Sequence, residues 1–254
     1  MIFSAFSPRS PRLGGECNTP NFVLRLAAAL VLFASAASAQ TGFPWQSETL
    51  RYSINWQSGL SLGEAGLSAH KSDKGWEFEA TVNAGVPGFA INDQIHSRTG
   101  PSLCSEELQR DFSHGGKKTS EKTTFDQKAG SAERTTLVPD GGTKPGKSTF
   151  DIPSCARDAL AFLYYSRLEL GQGRVTPPQK VWLGSEYSVK TDYTGPQNIM
   201  VNKKSTVTDH IVVAVRGPKS DFTFEVFFAR DAARTPLQIK IPLAVGAFTL
   251  ELVR

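Results

Sequence analysis

Apolar and polar residues alternate in short stretches along most of this chain. Leu50, Tyr52, Ile54 and Trp56 alternate with Arg51, Ser53, Asn55 and Gln57. That two-residue period predicts a half-buried strand, because successive side chains point to opposite faces of a sheet. Ser58-Gly59 signals a turn, and 60–71 reads as a Gly-rich partner strand. Asp73-Lys74-Gly75 marks a hairpin loop. Trp76, Phe78, Ala80 and Val82 then alternate with Glu77, Glu79 and Thr81. Further strands are predicted near 91–99, 106–113, 117–127 and 131–138. After Pro177-Pro178 they resume at 179–183, 185–193, 197–202, 206–216, 222–229, 236–241 and 246–253. Phe222, Phe224, Val226 and Phe228 share one face of one such strand. Residues 139–149, with Pro139, Gly141, Gly142, Pro145 and Gly146, read as a loop.

One stretch breaks the period. Cys155, Ala159, Phe162, Leu163 and Ser166 fall at helical spacing, with Ala156, Leu160 and Tyr164 on the neighbouring face. This predicts a helix over about 155–168, capped by Ser154 and apolar on more than one side. Roughly a dozen short strands and one helix predict a mainly β fold. The expected form is an antiparallel curved sheet, half-open barrel or sandwich with the helix packed against it.

The N-terminus reads differently. The apolar run 26–34 follows Arg25 and ends at Ala37-Ser38-Ala39, the small-x-small pattern of a signal-peptide cleavage site. The run is too short for a membrane span, which needs about 20 apolar residues. The expectation is a cleavable signal peptide over 1–39, a single β-rich domain over 40–254, and a periplasmic product that is not an integral membrane protein. A strand-built outer-membrane barrel fits less well, because the chain closes on Leu252-Val253-Arg254 without a terminal aromatic.

Composition narrows the classes of function. The net charge is +4, and Arg9, Arg12 and Arg25 against Glu16 account for half of it. The basic residues are scattered, so the concentrated stripe that nucleic acid requires is missing. Cys104 and Cys155 remain after export, 51 residues apart. An even pair in an oxidising compartment suggests a disulfide, with two buried thiols as the alternative. The sequence holds no G-x-S-x-G, H-E-x-x-H, P-loop or G-x-G-x-x-G. His70, His96, His114 and His210 form no close pair at ligand spacing. The expectation is a non-enzyme without metal or cofactor.

Three blocks carry a family resemblance. They are Glu48-Thr-Leu-Arg-Tyr-Ser-Ile-Asn-Trp through Gly59, Gly63, Glu64 and Ala65; the stretch Asp158 to Arg167; and Phe227 to Pro236 followed by Gly246-Ala-Phe-Thr-Leu-Glu-Leu. In this order and spacing the chain resembles the uncharacterised bacterial exported-protein family of domain of unknown function 3108 (DUF3108). The resemblance implies a mostly β envelope protein and implies no reaction.

The helix block carries the candidate site. Leu160, Phe162 and Leu163 would fill the concavity of a curved sheet. Tyr164, Tyr165 and Arg167 would form the mouth of a ligand cavity, with Arg167 meeting an anionic headgroup. The plainer alternative is a core plug with a satisfied arginine. Two roles follow: a carrier of a lipid-like ligand, whose interior would be hollow, or an envelope assembly factor that offers sheet edges to a protein partner.

Overall fold

The computed structural model describes residues 47–86, 88–138, 146–218, 221–243 and 246–253. The signal segment expected at 1–39 lies outside the described residues. In chain order the strands are β1 (Ser47–Trp56), β2 (Ser61–Ser72), β3 (Gly75–Val86), β4 (Phe89–Thr99), β5 (Ser105–His114), β6 (Lys117–Asp126), β7 (Ser131–Val138), β8 (Gly146–Asp151) and β9 (Arg157–Asp158). The helix α1 (Ala159–Gly171) follows. The chain then continues through β10 (Gln179–Trp182), β11 (Glu186–Val201), β12 (Lys204–Arg216), β13 (Asp221–Ala229), β14 (Pro236–Leu243) and β15 (Gly246–Val253).

All these strands belong to one sheet, ordered β8-β7-β6-β5-β4-β3-β2-β1-β15-β14-β13-β12-β11-β10-β9. The chain winds outward in one direction from β1 to β8 and returns inward from β9 to β15. The first and last strands meet in the middle, with Tyr52 opposite Leu252 and Ile54 opposite Leu250. Every pairing is antiparallel except β9 with β10. The sheet is curved and unclosed. Its two edges, β8 and β9, are consecutive in the chain. Among the described residues the protein is thus mainly β with one packed helix, as the alternation predicts.

The buried face of the sheet holds the apolar half of each alternating strand. Tyr52 and Ile54 of β1 and Trp76 and Phe78 of β3 are buried, whereas Arg51 and Glu77 are exposed. The helix lies against this face and joins two clusters. Leu160 and Tyr164 pack with Ala69, Trp76, Phe78 and Leu103, and Tyr164 stacks on Phe78 with ring centroids 4.3 Å apart. Phe162 and Leu170 pack with Val181 and Val189, and with Ile211, Val213, Val226 and Phe228 from β12 and β13. Covering on two sides is what the broad apolar stripe requires.

Several boundaries differ from the sequence expectation. The helix begins at Ala159 rather than near 155, and its cap is Asp158 rather than Ser154. Cys155 has φ +55°, which is incompatible with a right-handed helix. Cys155 is bonded to Cys104, with the Cα atoms 4.7 Å apart. Asp158 accepts hydrogen bonds from the backbone N–H of Leu160 and Ala161 at 2.9 and 3.0 Å. It also accepts from the hydroxyls of Ser97 and Ser105 at 2.5 and 2.6 Å. Burial pushes its carboxyl above the usual carboxylate value, against these four donors.

The predicted loop 139–149 ends inside β8, a strand without alternating apolar residues that pairs by register with β7. The segments 185–193 and 197–202 belong to one strand, β11. A bulge between Tyr193 and Gly195 absorbs the irregularity that reads as a break. Among the described residues no helix is long and apolar enough to cross a membrane, a statement that covers helices only.

Candidate functional site: an apolar cleft beside the helix

The side chains of α1 at 162, 163, 166 and 170 share one helical face and turn towards β11–β13. Opposite them, Phe224, Val226 and Phe228 occupy one face of β13. Ile211 and Val213 of β12 pair in register with Val226 and Phe224. Between these walls runs a narrow cleft of about 60 Å³. That is room for roughly two water molecules at liquid density. Its lining includes Val175, 40% exposed; beyond the lining, the apolar row of β13 continues to Phe222, which is 39% exposed and stacks with Phe224.

The polar groups of the cleft are few. Thr176 and Thr191 satisfy each other, with their hydroxyl oxygens 2.8 Å apart. Arg174 reaches the cleft because the helix ends just before it. Gly173 takes φ +73°, its N–H donates to the Leu170 carbonyl, and the Arg174 N–H donates to the Glu169 carbonyl. This is the Schellman arrangement, which needs a left-handed residue and so favours glycine. The Arg174 guanidinium donates from Nε and Nη2 to the two carboxylate oxygens of Glu169 at 2.6 and 2.8 Å. That contact holds the Glu169 carboxyl below the usual carboxylate value. The fourth polar group is Ser166, whose Oγ is buried and has no hydrogen-bond partner among the described residues.

The six residues singled out from the sequence divide between this cleft and the core. Phe162 and Leu163 line the cleft. Leu160 is buried in the cluster around Trp76 and Phe78. Tyr165 is half-buried and carries the Arg157 guanidinium 3.7 Å above its ring. Tyr164 and Arg167 do not stand at a rim: both are buried. Arg167 donates from Nη1 and Nη2 to the Glu48 carboxylate at 2.6 and 2.7 Å, and from Nε to the carbonyls of Ala233 and Arg234. The Tyr164 hydroxyl donates to the same carboxylate at 3.3 Å, and burial pushes its phenol up. A bidentate carboxylate meets the guanidinium where a headgroup was expected, 119 residues away in sequence.

Sequence reading missed Ser166, Leu170 and Arg174 as a group, together with the β12 wall. The shared face of Phe222, Phe224, Val226 and Phe228 was the one available signal for the opposite wall.

A second neighbourhood is larger and less selective. A trough of about 500 Å³ lies over β3–β6, lined by Asn83, Asn92, Gln94, Asp111, Ser113 and Ser120 among others. These residues are exposed or half-buried along their strands. They form the solvated face of an antiparallel sheet, which needs no ligand to explain it.

Comparison with known proteins places the fold. No curated protein matches the chain. Among solved structures it is similar to a beta-barrel-like protein of domain of unknown function DUF1849 from Brucella abortus. The TM-score is 0.57 at 9% identity, covering 84% of this chain and 98% of that one. At that identity the likeness is one of fold. The family model described as "Protein of unknown function (DUF3108)" matches residues 51–253.

Proposed function

We propose, for a chain that belongs to the family Protein of unknown function (DUF3108), that it is an exported, periplasmic, non-catalytic protein that binds a lipid-like ligand in the cleft between α1 and β11–β13. One observation carries the reading. The cleft is walled by Phe162, Leu163, Ile211, Val213, Phe224 and Val226, and its lining ends in the exposed side chain of Val175. An exposed apolar rim leading to an apolar slot is a site where hydrocarbon is transferred from water at a gain of about 25 cal/mol per Å². A slot this narrow takes the end of a chain and leaves the remainder along the rim.

The test is native mass spectrometry of the protein purified gently from the periplasm of its host, with organic extraction of what co-purifies. The expected result is a stoichiometric lipid-like species that is lost in a folded Leu163→Glu variant. Leu163 suits this because it is only half-buried. A clean apo mass from gentle preparations would overturn the proposal. It would favour the second reading, an envelope assembly factor, which has its own observation. β8 is an edge strand, mostly exposed, with β7 as its one neighbour, and such an edge can pair with another chain.

A further inference from the structure

We infer that the ligand of the cleft is a single-chain amphiphile with a monoanionic carboxylate head, held by Arg174 and Ser166. This rests on the lipid-like reading above and adds the head group to it.

Ser166 gives the first reason. A serine inside a helix ordinarily satisfies its hydroxyl on a carbonyl of the preceding turn. Ser166 does not, and its buried Oγ has no partner among the described residues. A buried hydroxyl without a partner is unfavourable, so its retention in an apolar wall points to a polar group that arrives with the ligand. Arg174 gives the second. It lines the same cleft, its side chain is 58% exposed, and it is anchored by two hydrogen bonds to Glu169. A guanidinium has five N–H donors, so three stay available to a second acceptor while Glu169 fixes the plane.

Charge and size narrow the head and tail. Arg174 is the charged side chain among the described residues that line the cleft, so one negative charge complements it; each further charge adds repulsion from Glu169 without a second cation to meet it. The slot of about 60 Å³ admits the end of one chain and not two side by side, so a single-chain ligand fits with most of its tail outside the slot. The assignment is therefore a hydrocarbon tail against Phe162, Leu163 and Phe224, with the carboxylate at Arg174 and within reach of Ser166.

The experiment is a binding titration of the purified full-length mature protein with myristate and with myristyl alcohol, both below micelle formation, read by displacement of a fluorescent acyl probe. The expected result is that myristate binds at least about 10-fold more tightly than the alcohol, since a hydrogen bond to a charged group replaces one to a neutral group. Arg174→Gln and Ser166→Ala should each reduce that ratio, because each weakens myristate more than the alcohol. Ser166→Ala should also leave the melting temperature equal or higher, because it removes an unpaired hydroxyl from a helix; a serine kept for structure would lower it. Equal binding of both probes overturns the head-group assignment and leaves the cleft reading standing. Binding of neither overturns both.

Discussion

Arg167 and Glu169 lie two positions apart on α1, and each forms a bidentate ion pair in a different environment. Arg167 is fully enclosed and pairs with Glu48, whereas Glu169 pairs with the exposed Arg174. Breaking an enclosed pair by removing one partner costs about 3–5 kcal/mol, because the other charge is left unpaired. The Glu169 pair is weaker and should reveal itself through pH. Arg174 lowers the Glu169 pKa in the folded protein from an ordinary value of 4.5. The fold therefore favours the charged carboxylate. Its contribution is complete above that ordinary value and disappears as pH falls through the lower folded value. Glu169→Gln should melt below the native protein at neutral pH. The gap should close only as the pH falls through the lowered folded value, where the native carboxyl is also protonated. Thermal melts of both proteins across this range check it, and a gap constant with pH would refute it.

Among the elements, the short segment between β8 and β9 is the junction on which the architecture depends. It links the two edges of the sheet, and the Cys104–Cys155 bond fastens it to the chain just before β5. The Ser105 N–H donates to the Ala156 carbonyl, and the Gln127 side chain donates to the Ser105 and Ala156 carbonyls. Together these contacts set where β9 ends and where Asp158 caps the helix. The bond closes a separation of 51 residues. Restricting an unfolded loop of that length contributes about 4 kcal/mol in the chain-entropy account. The Cys104→Ser/Cys155→Ser double variant should therefore lose about 4 kcal/mol in urea denaturation. A loss under about 1 kcal/mol would mean that the non-covalent contacts already restrict this segment.

Across the whole molecule, the sheet is continuous because its first and last strands pair. β15 hydrogen-bonds both β1 and β14, so it joins the outward and returning halves. Truncation after residue 243 should expose the edges of β1 and β14 and leave the halves joined by the β8–β9 segment, the helix and a few side-chain contacts, such as Trp182 on Phe125 and the Tyr52 hydroxyl on the Pro236 carbonyl. We expect such a chain to lose its near-ultraviolet circular dichroism and cooperative unfolding, and to aggregate in gel filtration. A monomer with sharp unfolding would show that each half is stable by itself.

What the sequence determined was local. Alternation in β1, β3 and β13 revealed the strands because the strand period is two and one face is buried. The helix emerged from the 3.6-residue period around Phe162, and the disulfide from an even cysteine pair. What the tertiary structure decided was every partner distant along the chain. Ser154 and Asp158 are both good caps in isolation; Ser97 and Ser105, supplied by β4 and β5, select Asp158. Arg167 reads as a headgroup ligand until Glu48 is folded against it. β8 lacks an apolar pattern and exists because β7 offers it a register. The candidate cleft was half legible: Phe162 and Leu163 stand out at helical spacing, but Ser166 and Arg174 acquire meaning only when β12 and β13 close the opposite wall. Backbone period is written in neighbouring residues, whereas the pairing of charges and the closing of cavities depend on which strands a curved sheet brings together.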